Sequence, residues 1–445
     1  MNLQNKHFYN FLLSKNSNFV SYAISKLHST YSTKYNRKQI NLSIISKFIS
    51  SYLDNKKIIL KKKHKVEILI ISNLVSPDCL KKDLYFGNLD KILNKEKLKT
   101  LKVFRNFTNK KQTEFINLKK NYNIILSKRS NYFTELKLLY LSLKEILIFI
   151  FLNKYHNVKK YINVKDFISI IPNLRLISQI EELIQIVEPK IIIFTYEGHA
   201  WERLLVNLCK KKYKWITSIG YQFSPIKNNQ IGFFRKLKND YNPDYLAVSG
   251  QKTFNQIINR INFTKVFKLG SPNFIKKKIK SKKIIDLLVA LDSEPSELFK
   301  MTNFCIDFAS KNNEFNIILR LHPIYTDNLM IIDEILFKIQ KINNLHMSRK
   351  SLVKDLQNSK YLLFTDTAIS ITCLSYNVVP IFFYNQSSNN IYDEKFPKSN
   401  VVKNNTDLKH ILKVKNNSKL SPYFRNYRDK YFERFHLNTL KKIIK

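Results

Sequence analysis

The chain has 445 residues, 44% of them hydrophobic and 13% aromatic, which excludes a disordered polyelectrolyte despite a formal net charge of +44. That length is too great for one ordinary core and predicts a globular protein of two α/β lobes. Cys79, Cys209, Cys305 and Cys373 lie far apart with no ligand spacing, which argues against a zinc site or a disulfide framework and suits a reducing cytoplasm.

Residues 1–7 lack the apolar core of a signal peptide. Short β-branched runs then alternate with longer helical patterns, the signature of βαβ units and parallel sheets. First-lobe strands are predicted at 66–71, 123–126, 190–195, 215–219, 245–248 and 266–269. The apolar run 136–152 is broken by Lys137, Lys144 and Glu145 and is shorter than a membrane span, so it reads as a buried or interfacial helix. A Lys-rich stretch at 273–283 is the expected linker between a first domain at 1–272 and a second at 284–420. Second-lobe strands are predicted at 284–291, 315–321, 361–364 and 380–384, and 421–445 reads as a C-terminal helical segment.

Five of the six glycines fall between Gly198 and Gly270, most of them just after a predicted strand. In open α/β sheets that is the ligand-binding edge. Glu197, Gly198 and His199 sit where the strand at 190–195 turns into a helix whose Trp201, Leu204, Leu205 and Leu208 keep the spacing of a buried stripe. A carboxylate or imidazole in that turn can act as a general base toward an acceptor hydroxyl, with Glu197 first, His199 in reserve and Glu202 as a further candidate. Tyr221 and Gln222 end the next strand and offer ring and amide to a sugar, as does Trp201. Ser249 with Gly250 and Gly270 with Ser271 end two further strands in small residues, which lets backbone N–H groups approach a phosphate.

In the second lobe, Arg320-Leu321-His322-Pro323 closes a strand with a cation, an imidazole and a ladder-stopping proline. That places His322 at the sheet's carboxyl edge, suited to a leaving phosphate. Thr365, Asp366, Thr367 and Ser370 form a hydroxyl-rich turn opening a helix, a second source of phosphate ligands.

The order of these pieces resembles the donor lobe of GT-B glycosyltransferases of bacterial surface-polysaccharide synthesis, in particular the His-Pro-motif CMP-sialic acid and CMP-Kdo transferases. CDP-glycerol glycerophosphotransferases and UDP-sugar 2-epimerases are similar in arrangement. The resemblance spans roughly residues 190–385, including Tyr196-Glu197, Trp201-Glu202 and Gly220-Tyr221-Gln222, which look like surface-carbohydrate biosynthesis proteins. It implies a GT-B-like fold of two Rossmann-like domains whose parallel sheets face a central cleft. It also implies a phosphate-contacting role for His322, a nucleotide-sugar donor and a glycan or glycolipid acceptor. Where many such donor sites have a Glu-Ala pair that grips the ribose, this chain has Ser370-Ile371-Thr372-Cys373, which favours a CMP-linked donor over a UDP-hexose. No Asp-x-Asp metal motif ends a strand, so a metal-independent reaction without a bound cofactor is expected.

Most of the positive charge reads as compositional, because Lys, Asn, Ile and Tyr saturate the whole chain. The remainder fits peripheral contact with an anionic membrane from the cytoplasmic side. Nucleic-acid binding is disfavoured, since no zinc-finger spacing, RNP-like motif or basic recognition helix is present.

Overall fold

The computed structural model describes residues 65–445 except 76, 82, 109–123, 127–132, 142, 145–146, 148–169, 225, 227–230, 236, 238, 275–282, 326–327, 366, 386–391, 393–394, 415–419 and 445. Asp366, residues 1–7, most of the predicted linker and part of the 136–152 run therefore lie outside the described residues.

Two parallel sheets form two α/β lobes, the GT-B-like arrangement of two Rossmann-like domains. The first has seven strands in the order β3-β2-β1-β4-β5-β6-β7. They are β1 Ile68–Leu74, β2 Thr100–Asn106, β3 Ile124–Leu126, β4 Ile191–Thr195, β5 Thr217–Gln222, β6 Tyr245–Val248 and β7 Lys265–Lys268. The second has six strands in the order β10-β9-β8-β11-β12-β13. These are β8 Ile285–Ala290, β9 Ile317–Arg320, β10 Leu345–Met347, β11 Ser359–Phe364, β12 Val379–Phe383 and β13 Val401–Val402.

The central strands are apolar on both faces because helices cover both. In the first lobe, α2 (Ile170–Val187) and α3 (Ala200–Lys212) close one face over Leu69, Ile71, Ile192 and Phe194. On the other face α1 (Leu89–Lys95) packs Leu89 and Leu93 against Ile68, Ile70 and Ile193. In the second lobe α5 (Pro295–Lys311), following α4 (Gln251–Ile258) in the chain, buries Leu298, Met301, Cys305 and Phe308 against β8 and β9. The helices α6 (Leu329–Ile339), α7 (Leu352–Asn358) and α8 (Asn405–Lys413) complete it.

The strand β2 was not among the predicted strands. Its sequence, Thr-Leu-Lys-Val-Phe-Arg-Asn, is interrupted by two cations, and Lys102 is buried all the same. Its ammonium lies 2.7 Å from Asp90, 3.4 Å from Asp83 and 3.0 Å from the Gly87 carbonyl oxygen, which compensates the charge. Burial still pushes the Asp83 carboxyl upward against the pull of Lys102.

The C-terminal segment divides between the lobes. In α9 (Pro422–Tyr431), Phe424, Tyr427 and Tyr431 join the second core, whereas Leu440 of α10 (Asn438–Ile444) is buried in the first. Between them the backbone is stitched to the first sheet's edge. The Glu433 N–H donates to the Ser249 carbonyl (3.1 Å), the Ser271 N–H to the Glu433 carbonyl (2.9 Å) and the His436 N–H to the Leu269 carbonyl (2.8 Å).

Candidate active site

The turn between β4 and α3 is built around one carboxylate. Glu202 Oε2 accepts the backbone N–H groups of Glu197 (2.9 Å), Gly198 (2.8 Å) and His199 (2.8 Å), and with the His199 ring it closes a capping box at the start of α3. Gly198 allows the turn: its φ is +84° and a Cβ there would stand 2.3 Å from the Gly232 carbonyl oxygen. Burial pushes the Glu202 carboxyl up to about 7, opposed by His199 and by the amide bonds. Predicted as a candidate base, Glu202 is instead fully buried and committed to shaping the turn. It is a positioning residue.

The turn delivers Glu197 and His199 together, partly exposed, at the carboxyl edge of the first sheet. Glu197 Oε1 accepts the Ser224 hydroxyl at 2.6 Å, and Glu197 Oε2 lies 3.1 Å from His199 Nε2. Burial disfavours the imidazolium, yet the Glu202 and Glu197 carboxylates outweigh it and hold the His199 pKa above its usual range. Such a pair can accept a proton from a nearby hydroxyl and share it between carboxylate and ring.

Three neighbours were missed from sequence. Asn73, next to last in β1, donates to the Thr195 hydroxyl at 3.2 Å, while its Oδ1 is buried without a partner. Tyr85 lies close enough to feel the Glu197 charge, and burial raises its phenol pKa far above normal. Arg105, next to last in β2, pairs in register with Asn73, its guanidinium 4.4 Å from the Phe107 ring centroid and 5.2 Å from that of Trp201. The signal for Arg105 was available only through β2, whose alternation Leu101, Val103, Arg105 puts the cation on the α3 face at the strand's end.

Tyr221, Gln222 and Trp201, expected to meet a sugar, are all buried. The Tyr221 hydroxyl donates to the Gly270 carbonyl at 2.8 Å inside the core. Trp201 packs against Phe194 in the core beneath α3. Gln222 Nε2 donates to the Ser224 carbonyl (2.9 Å) and hydroxyl (3.1 Å), so it orders the residue that holds Glu197.

The pairs Ser249-Gly250 and Gly270-Ser271, expected to cradle phosphate, seat the C-terminal backbone instead. A Cβ at Gly250 would lie 2.7 Å from the carbonyl oxygens of Lys430 and Tyr431, and one at Gly270 would lie 2.3 Å from that of Arg434. Ser249 and Ser271 are buried, and the Ser249 hydroxyl pairs with that of Thr253 at 3.2 Å. Small residues there do permit a close backbone approach, but the backbone is the protein's own.

At the second sheet's edge His322 is partly exposed just before a 3-10 turn, Pro323–Tyr325. The Ile324 N–H donates to His322 Nδ1 at 3.3 Å, which in the neutral ring puts the proton on Nε2. Pro323 is exposed beside it. Arg320, expected to bind phosphate, is already engaged: its Nη1 lies 2.6 Å from Asp355 Oδ2 and 2.9 Å from the Lys350 carbonyl. The Thr365 hydroxyl is buried and donates to Asp292 Oδ2 at 2.8 Å, tying the ends of β11 and β8 together. Ser370 is buried as well, its hydroxyl donating to the Thr367 carbonyl at 2.8 Å. Among the described members of the predicted donor set, His322, Pro323 and Thr367 are at least partly exposed, as is Arg320, whose Nη1 is held by Asp355.

Among the described residues no group of three or more His, Cys, Asp or Glu is placed to hold a metal ion, and no helix is long and apolar enough to cross a membrane.

No protein-family model and no curated protein sequence matches the chain. Solved structures do. The chain is similar to a protein designated a UDP-N-acetylglucosamine 2-epimerase from Listeria monocytogenes, with a TM-score of 0.52, 10% identity and coverage of 85% of this chain and 95% of that one. It is similar also to the UDP-GlcNAc 2-epimerase of Neisseria meningitidis bound to UDP-GlcNAc, with a TM-score of 0.50, 11% identity and coverage of 85% and 98%. At such identities the likeness is one of fold: two Rossmann-like lobes of the GT-B kind.

Proposed function

We propose that this protein is a glycosyltransferase that moves a sugar from a nucleotide-sugar donor to a glycan or glycolipid acceptor of surface-polysaccharide synthesis. The observation that carries the reading is the Glu197–His199 pair, positioned by Ser224 and Glu202 at a carboxyl sheet edge where α/β proteins bind ligands. Glu197, backed by His199, takes the proton of the acceptor hydroxyl as the new glycosidic bond forms. His322 donates through Nε2 to the phosphate of the departing nucleotide, assisted by the Thr367 turn. The stretch Ser370 to Cys373 supplies no carboxylate for a ribose, which supports a CMP-linked donor. The reaction needs no metal or cofactor in this reading, and the excess of basic residues serves peripheral contact with an anionic membrane.

A second reading, a nucleotide-sugar 2-epimerase, is favoured by the likeness to structures of that designation, one of them with UDP-GlcNAc bound. A CDP-alcohol phosphotransferase would draw on the same donor-lobe parts. A thermal-shift series with CMP, CDP, UDP and GDP, followed by product analysis, separates the three. Stabilisation by CMP, with sugar appearing on an acceptor, supports transfer, whereas a product that retains the phosphate supports the phosphotransferase. Stabilisation by UDP, with the C2 epimer formed in the absence of any acceptor, supports the epimerase and overturns transfer. Unchanged transfer and donor affinity in His322→Ala would remove His322 from the site.

A further inference from the structure

Arginines in the packed parts of this protein spend their donors on oxygen. Arg203 is fully buried and gives its guanidinium to the carbonyls of Tyr241, Gly232 and Arg235 and to Asn242 Oδ1, at 2.7 to 3.1 Å. Arg175 pairs with both oxygens of Glu135, and Arg320 with Asp355. Arg105 differs from all three. Among the described residues its guanidinium makes no hydrogen bond or ion pair. It rests on the rings of Phe107 and Trp201, partly exposed, at the carboxyl end of β2.

Ring faces hold a guanidinium in place without using its N–H donors, so the fork stays available for a planar or tetrahedral oxyanion. The surroundings concentrate that role on Arg105. The turn that opens α3, where an anion could otherwise settle, has its amides at 197, 198 and 199 occupied by Glu202, and the Glu202 amide is itself taken by the His199 side chain. Glu202 in turn feels the Arg105 charge but gives Oε2 to those amides. Next to Arg105 in register, Asn73 has a buried Oδ1 with no partner, an acceptor suited to a ligand hydroxyl. Cation, amide oxygen and the Glu197–His199 pair thus share one sheet edge.

We infer that Arg105 and Asn73 form an anion-recognising subsite in the first lobe, and that the acceptor is a sugar bearing a phosphoryl or carboxylate group close to the hydroxyl that reacts. The inference rests on Glu197 marking the acceptor side, and it specifies what class of acceptor enters there.

The chain provides its own reporter. Of its two tryptophans, Trp201 lies under Arg105 and Trp215 is exposed, so Trp215→Phe leaves emission from the subsite alone. Full-length Trp215→Phe protein is titrated with glucose 1-phosphate, glucuronate and glucose, with Trp201 fluorescence as the readout. A saturable change with glucose 1-phosphate, glucuronate or both, and none with glucose, is expected, and which anion responds identifies the group preferred. Arg105→Gln should weaken that binding at least tenfold. Arg105→Lys, which keeps the charge felt by Glu202 but loses the fork, should weaken it at least threefold while the thermal midpoint stays unchanged. His322→Ala should leave it unaltered, which separates this subsite from any phosphate site in the second lobe. Equal responses to glucose and the two anions, no response to either anion, or wild-type anion affinity in both Arg105 variants would overturn the inference. Nucleotide binding by the second lobe is read in the separate thermal-shift series, so the two proposals can fail independently.

Discussion

The two sheets end in opposite chemistry. The first presents Glu197 and His199, partly exposed, with Arg105 beside them and Glu202 organising the turn from below. The second presents His322, but the cation and hydroxyls around it are largely paired: Arg320 with Asp355, Thr365 with Asp292, Ser370 with the Thr367 carbonyl. Similar polar residues at equivalent strand ends thus do different work. At the first edge buried polar groups hold reactive groups toward solvent, whereas at the second they are mostly spent on one another within the fold.

That contrast can be broken most sharply by comparing Glu197→Gln with Asp355→Ala. If Glu197 is the base, Glu197→Gln lowers kcat about 10²- to 10⁴-fold with little change in thermal midpoint, because general-base catalysis contributes that much. Asp355→Ala should do the reverse. It leaves Arg320 partly buried without its carboxylate and costs about 3 kcal/mol of stability, measurable by urea unfolding, since removing one partner of a buried pair is strongly destabilising. An activity loss without destabilisation in Asp355→Ala would restore Arg320 as a ligand group.

Glu202 sharpens the same comparison through pH. Its carboxyl moves from an ordinary value of 4.5 to about 7 in the folded state, so between those values the folded protein binds more protons than the unfolded chain. Stability therefore falls as pH rises through that window, by up to about 1.4 kcal/mol per pH unit, and levels off above it. The raised pKa of His199 acts in the same direction, with stability lost as pH rises through its folded value. Glu202→Gln should flatten the dependence between pH 4.5 and 7, read as unfolding free energy across a pH series. A wild-type slope retained in Glu202→Gln would place the titration elsewhere.

The smallest effect is expected at Ser224→Ala, which removes the 2.6 Å hydrogen bond to Glu197. A bond to a charged group contributes about 1.5–3 kcal/mol, and this one is partly solvated, so kcat should fall about tenfold with stability nearly unchanged. An unchanged kcat would mean that His199 alone orients Glu197.

The sequence already contained the two-lobed α/β architecture, because strands buried on both faces are apolar runs of few residues and the intervening helices carry an apolar stripe. The same logic put Glu197, His199 and His322 at strand ends, where the chain must turn and polar side chains meet solvent. It failed at β2. Lys102 and Arg105 interrupt the apolar run, and only the folded protein brings Asp83 and Asp90 to neutralise the first and the rings of Phe107 and Trp201 to carry the second. Tertiary structure also decided what the small residues at Ser249, Gly250, Gly270 and Ser271 approach. Sequence can show that a backbone must come close there, but whether it belongs to a ligand or to residues 430–434 of the same chain depends on contacts about 180 positions apart, for which local pattern carries no information.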